Sequence, residues 1–187
     1  MQGKAIIISA PSGAGKTTIV KHLLDEIPVL EFSVSACSRA PREGETNGKD
    51  YYFIPAGEFH MRIENCDFLE WEEVYPGCFY GTLKSEIRRI WSMNKVPIFD
   101  VDVKGALSLR NYFRSNGLSV FICPPSLDSL LLRLRERKTE NAESLQKRIS
   151  KAEYEMSFEK KFDACVINDD LANAKRTAAN LVNDFLK

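Results

Sequence analysis

The sequence predicts an α/β fold, a parallel sheet held between layers of helix, and three observations carry the prediction. Short apolar runs (AIII from Ala5, VPIF from Val96, SVFIC from Ser119, ACVI from Ala164) recur along the 187 residues, and each is followed by a segment of helical character. The first run opens directly into SAPSGAGKTT at residues 9–18, a loop of small residues between a strand and a helix. Two stretches, residues 35–84 and about 126–159, interrupt the alternation. They are read as a small inserted α+β unit and a helical flap, which leaves residues 1–34, 85–125 and 160–187 for the core.

The loop is the chemical centre of the chain. Ala10 stands where the strict G-x-x-x-x-G-K-[ST] pattern has glycine, and Pro11, Ser12, Gly13, Ala14, Gly15, Lys16, Thr17 and Thr18 complete it. Gly13 and Gly15 let successive backbone N–H groups turn inward toward phosphate oxygens, and the helix N-terminus adds its partial positive charge. Lys16 is placed to meet the β/γ-phosphates of a nucleoside triphosphate, and Thr17 to offer a hydroxyl to Mg²⁺.

Composition narrows the class. A chain of this length is one domain with room for inserts, and 44% hydrophobic with 28% charged residues is that of a soluble globular protein. Lys+Arg and Asp+Glu balance at 26 each, so neither a nucleic-acid polymer nor an anionic membrane is expected as partner. Cys37, Cys66, Cys78, Cys123 and Cys165 have no C-x-x-C spacing and no signal peptide precedes the first strand, which reads as free thiols in the cytoplasm. No apolar run approaches the roughly 20 residues that span a bilayer.

Taken in order, the first helix ends near Ile27-Pro28. Residues 32–35 and 51–54 alternate like short strands around turn chemistry at Pro41, Gly44 and Asn47-Gly48. Arg39 and Arg42 lie on that loop with Tyr51 beyond, an arrangement suited to a phosphate. PAGEFHMRIENC is a short helix, DFLEWEEV a strand presenting Glu70, and PGCFYGT a turn leading through Tyr80 and Thr82 into another helix. VPIFDVD, residues 96–102, is a buried strand whose Asp100 and Asp102 share a face by strand period; an acid at this strand end stands where Mg²⁺ is served in such proteins. Ser126 is a candidate cap for a leucine-rich helix, and a polar, charge-rich tip carrying Arg137 separates it from a second helix with Arg148. ACVIND and a helix begun at Asn168-Asp169-Asp170 close the chain.

With these residues in view, the chain resembles the guanylate kinase family over nearly its full length. The resemblance is carried by SAPSGAGKTT, FSVSACSRAPREGETNGKDYYF, FLEWEEV, FYGT, DVDVKGA, RLRERKTENAESLQKR and FDACVINDDL. It implies a P-loop NTPase-type three-layer parallel sheet with an inserted α+β GMP-binding subdomain and a helical lid. It implies an enzyme that transfers a phosphoryl group from ATP, with Mg²⁺, to GMP, in purine nucleotide metabolism and GMP recycling. Ser35, Glu70, Thr82 and Asp102 would face guanine, and Arg39, Arg42, Tyr51 and Tyr80 would hold the GMP phosphate. Lys16, Arg137 and Arg148 would gather at the transferring group, Asp100 near metal and GMP, and Asn168 near the ATP adenine. Independently of the family, one carboxylate can accept from both guanine N1–H and N2–H₂, which makes Glu70 the chemically sensible discriminator.

Three departures from the family pattern stand out: Lys104 for a usual Gln, Lys138 for a common Gly, and an apparent insertion at Tyr75-Pro76. Two other readings compete. Guanylate-kinase-like domains of scaffold proteins bind peptides without catalysis, against which stand the intact loop and the lack of attached interaction domains in this short chain. A related kinase acting on another phosphorylated sugar or nucleotide is the third reading, against which Glu70 and Thr82 argue. No obligate protein partner is expected.

Overall fold

The computed structural model describes residues 3–136 and 142–187. In chain order the elements are β1 (Ala5–Ser9), α1 (Lys16–Glu26), β2 (Leu30–Phe32), β3 (Ala36–Cys37), β4 (Tyr52–Phe53), α2 (Ala56–Glu64), β5 (Phe68–Tyr75) and β6 (Cys78–Leu83). They continue with α3 (Lys84–Ser92), β7 (Val96–Asp100), α4 (Val103–Phe113), β8 (Gly117–Cys123), α5 (Leu127–Glu136), α6 (Ala142–Met156), β9 (Ala164–Ile167) and α7 (Leu171–Leu186).

Five strands form a parallel sheet in the order β2-β7-β1-β8-β9, with Ile6 opposite Ile98 and Leu118, and Ile8 opposite Asp100 and Val120. Strand alternation divides their side chains between two faces. Ile6, Ile8, Ile98, Val120 and Ile122 pack with Ile19 and Leu23 of α1 and Val182 of α7. Ala5, Ile7, Phe99 and Phe121 pack instead with Ile87 of α3 and Val103, Leu109 and Phe113 of α4. Both faces are therefore covered, which is why the strands read as unbroken apolar runs, and the predicted three-layer α/β sheet is present.

A second sheet, β4-β3-β6-β5, carries its own small core of Phe59, Phe68, Phe79 and Leu83 against α2. The chain leaves the first sheet earlier than expected. Ser33 still donates to Ile98 O at 3.0 Å, but Val34 N–H turns to the buried carboxylate of Glu86 at 3.0 Å, so β2 ends at Phe32 and residues 33–35 bridge between sheets.

Three further expectations are corrected. The Tyr80-Gly81-Thr82 segment is the middle of strand β6, antiparallel to β5, and not a turn. A Cβ at Gly81 would lie 2.7 Å from Glu70 O, so only glycine lets the two strands approach there, and the actual reversal is at Pro76-Gly77 with Gly77 at φ 74°. Asp102 does not share a strand face with Asp100, because β7 ends at Asp100 and Asp102 caps α4, accepting from Gly105 N–H at 2.8 Å. Cys123 and Cys165 are joined as a disulfide, whereas Cys37, Cys66 and Cys78 are free. Phe121 is the register partner of Cys165, which makes Cys123 its diagonal neighbour on the same face.

The helices of the flap are present as α5 and α6, in contact through Leu130 and Ala152, and Ser126 Oγ accepts from Ser129 N–H at 3.1 Å as a cap should. Among the described residues no helix is long and apolar enough to cross a membrane.

Candidate active site

The loop after β1 is built from its glycines outward. Gly13 and Gly15 both take φ 93°, the left-handed conformation that aims consecutive N–H groups into one concavity. A Cβ on Gly15 would collide with Asn168, whose Nδ2 donates to Ala14 O at 2.7 Å. α1 begins at Lys16 with no side-chain cap, which suits a helix end that a phosphate is to cap. The residues of the loop line a cavity of about 330 Å³.

Lys16 is expected to stand mostly in solvent without nucleotide, and the structure places it otherwise. Its Nζ lies 2.5 Å from Asp100 Oδ1 and donates to Val101 O at 2.9 Å, and its side chain is only 22% exposed. Thr17 Oγ1 donates to Asp100 Oδ2 at 3.4 Å. A hydroxyl and a carboxylate at the mouth of a phosphate cradle are oxygen donors of the kind Mg²⁺ takes, with water and phosphate oxygens completing its shell, so this donor set fits the ion.

A second cavity, of about 360 Å³, lies between the two sheets. Ser35, Arg42, Tyr51, Glu70 and Tyr80 border it on the side of the insert, and Lys16, Asp100 and Asp102 on the side of the core. Glu70 is a half-buried carboxylate on the wall of this cavity. Its Oε1 accepts from Thr82 Oγ1 at 2.6 Å, and a Cβ at Gly105 would stand 3.0 Å from its Oε2, so α4 approaches the carboxylate by glycine alone. Burial, with Asp102 adding negative charge nearby, pushes the Glu70 carboxyl up to about 7. Thr82, fully buried, spends its hydroxyl on Glu70, so it orients that carboxylate. Asp102 combines the helix cap with a place on the cavity wall.

Arg39 is gripped more firmly than the sequence indicates. Its two terminal nitrogens donate to the two oxygens of Glu45 at 2.6 Å each, its Nε donates to Tyr80 Oη at 3.0 Å, and the guanidinium lies 5.1 Å from the Tyr51 ring centroid. Glu45 also accepts from Arg42 N–H at 2.8 Å, and these bonds hold its carboxyl down at about 2. Sequence reasoning missed Glu45; the available signal was an acid three residues after the second arginine of the loop, where a turn brings it back.

Asn168, expected near adenine, is buried behind the phosphate loop, where it braces Ala14. Glu155 of α6, also missed, is buried and accepts from Ser12 N–H at 3.3 Å, so the base of the flap is tied to the loop. Lys104 pairs with Glu72 at 3.7 Å across to β5, and the β5–β6 register shifts between Glu73 and Tyr75, beside the segment read as an insertion. Arg137 and Lys138 lie outside the described residues, and so does the side chain of Arg148.

The loop cavity and the Glu70 cavity thus adjoin, with Lys16 and Asp102 on the walls of both. The guanylate kinase sequence profile matches residues 2–184 of this chain. The guanylate kinase of Bacteroides fragilis is 47% identical over 99% of this chain and 91% of its own length, and that of Porphyromonas gingivalis 46% identical over 98% of each. The crystal structure of guanylate kinase from Anaplasma phagocytophilum superposes with a TM-score of 0.77 at 28% identity, covering 97% of this chain and 85% of that one. The chain belongs to the guanylate kinase family.

Proposed function

We propose that the chain transfers the γ-phosphoryl group of ATP to the phosphate of GMP, giving ADP and GDP by direct in-line displacement without a covalent enzyme intermediate. The observation that carries this reading is that the phosphate-loop cavity and the Glu70 cavity share Lys16 and Asp102 on their walls, so two nucleotides bound there face each other across one gap. The ATP phosphates rest on residues 10–18, with Asn168 bracing the loop from behind. Thr17 and Asp100 would hold Mg²⁺, which would supply charge neutralisation to the phosphate chain.

Lys16 is held ready by Asp100 and Val101 O and exchanges these for phosphate oxygens when ATP enters. Ionised Glu70 accepts from guanine N1–H and N2–H₂, with Ser35 and Asp102 beside it. Arg39, Arg42, Tyr51 and Tyr80 hold the GMP phosphate, Arg39 in the posture Glu45 gives it. Residues 35–84 serve as the GMP-binding insert and residues 126–159 as the lid, which delivers Arg137 and Arg148 to the transferring group. No base catalyst is needed, because the acceptor oxygen is already an anion and the work is positioning and charge stabilisation. The enzyme acts in purine nucleotide metabolism and GMP recycling in the cytoplasm, without nucleic acid, membrane or obligate protein partner.

A coupled assay with Mg·ATP against GMP, AMP, CMP and UMP tests the reading, with strong preference for GMP as the expected result. Lys16→Ala should lose nearly all turnover while staying folded. A folded variant that keeps more than about a tenth of wild-type turnover at saturating substrates would remove Lys16 from the role given to it, since cations at a transferring phosphoryl are ordinarily worth far more.

A further inference from the structure

Lys151 of α6 is absent from the roles assigned above, yet it borders three cavities. It lines the phosphate-loop cavity, the Glu70 cavity, and a third of about 230 Å³ against Glu72, Glu73 and Tyr154. Among the described residues only Lys16, Asp102 and Lys151 lie on the walls of both nucleotide-sized cavities, so two cations and one acid define the gap between them.

Among the described residues Lys151 has no strong partner of its own. Its Nζ is 3.9 Å from Glu155 Oε1, at the outer limit of an ion pair, and 5.9 Å from the centroid of the Tyr75 ring, and the side chain is 45% exposed. Glu155 is itself only 7% exposed and engages the Ser12 amide through its other oxygen, which fixes the turn of α6 carrying Lys151 against the phosphate loop. A lysine on a rigid base, with a long flexible stem and an uncommitted ammonium, is suited to follow an anion that moves between two sites.

We propose that Lys151 is a substrate-binding cation for the phosphate chain that bridges the two nucleotides, contacting non-bridging oxygens that are in place only when both sites are filled. The proposal rests on the phosphoryl-transfer reading, since it needs the two cavities to hold the two nucleotides. It separates Lys151 from Lys16, which meets ATP alone, and from Arg39 and Arg42, which meet GMP alone. The exchange it requires is short: the ammonium leaves the weak Glu155 contact for phosphate oxygens, and Glu155 keeps its bond to Ser12.

The test compares Lys151→Met, Lys151→Gln and Lys151→Arg with wild type by calorimetry and steady-state kinetics. The ligands are GMP alone, ADP alone, and a bisubstrate mimic in which adenosine and guanosine are joined through five phosphates. For the Met and Gln variants the expected result is a loss of at least tenfold in affinity for the mimic and about 10- to 100-fold in kcat. GMP and ADP taken singly should change less than threefold, and Arg should restore most of the loss. Unchanged mimic affinity in folded Met and Gln variants would overturn the proposal, and so would an equal loss for GMP alone, which would make Lys151 part of the acceptor site. A wild-type protein that fails to phosphorylate GMP would instead sink the functional reading, whatever the variants do.

Discussion

Glu70, as the proposed guanine reader, would set both selectivity and a pH profile. Its native carboxyl titrates near 7 because burial penalises the charge, whereas an exposed glutamate stays ionised well below that. The proposed contact with guanine needs the ionised form, so KM for GMP should rise about tenfold per pH unit below 7 and level off above about 8. Glu70→Gln should remove that limb of the profile, raise KM for GMP, and narrow the GMP/AMP ratio of kcat/KM, because a buried acceptor pair left unmatched by adenine is the main source of discrimination. The phosphate of GMP titrates in both proteins and cancels in the comparison. Stability should move the other way. A carboxyl that holds its proton more tightly folded than unfolded loses stability as pH rises from about 4.5 to about 7, so above pH 7 the Gln variant should be more stable, by about 3 kcal/mol at most. Denaturant melts at pH 5 and pH 8 would show whether the gain is confined to the higher pH. If the pH dependence of KM survives in Glu70→Gln, the base is read by another group.

Arg39 belongs to the same scale. Its guanidinium cannot be aimed by packing alone, since a loop carries it, and the bidentate Glu45 contact supplies the aim. Glu45→Gln should raise KM for GMP about tenfold with a smaller change in kcat, the pattern of a lost ground-state contact. An equal fall in kcat at unchanged KM would place Glu45 in the transfer step itself.

At the scale of elements, strand, loop and helix around residues 5–26 were legible because apolar period, glycine placement and the lysine all pointed to one structure. The flap helices and the closing strand and helix were legible for the same reason. What escaped depends on which strand lies beside which. β6 was hidden because its glycine and threonine look like a turn until β5 is known to be its partner, and the Cys123–Cys165 bond follows from the β8–β9 register, which no local pattern encodes. The carboxylates split similarly: Asp100 could be placed at a strand end, but its pairing with Lys16, like the contact of Glu155 with Ser12, depends on segments distant in the chain meeting, whereas Glu45 is returned to Arg39 by a local turn.

Glu86 is the clearest element-scale example. From α3 it accepts from Val34 N–H, from Tyr52 Oη at 2.9 Å and from Arg89, fastening the insert to the core with one buried carboxylate. Burial alone would raise its pKa, but these donors outweigh burial and lower it. A depressed native pKa gives stability that is present above the ordinary glutamate range and lost as pH falls through it. Glu86→Ala should therefore destabilise the protein by about 2–4 kcal/mol near neutral pH and by less in acid, read from denaturant midpoints. A constant penalty from pH 3 to pH 7 would mean that packing, and not the carboxylate, joins the two parts.

At the scale of the molecule, the two cavities lie open to one another and to solvent, and the arginines assigned to the transfer step reside on the flap. An open arrangement admits both nucleotides but leaves the phosphates wet, and a charge in water stabilises a developing anion far less than the same charge in a dry site. The proposed transfer therefore predicts that the lid, residues 126–159, and the insert, residues 35–84, approach each other over the gap. Glu155 on Ser12 and Tyr52 on Glu86 give the lid and the insert fixed feet on the core, so the expected motion is rotation about these feet. Distance labels at the exposed thiol of Cys66 in the insert and at Leu132→Cys on α5 report it directly, since both positions face solvent. The distance should shorten by several Å when GMP and an inert ATP analogue are both bound, and by less with either alone. Arg137→Met should lower kcat by roughly 10³ while leaving GMP affinity within a few-fold, because its guanidinium is needed only at the transition state. Label distances that are the same in the empty and doubly occupied protein would rule out closure even if that variant were inactive, and would require the arginine to reach the phosphates from an already closed lid.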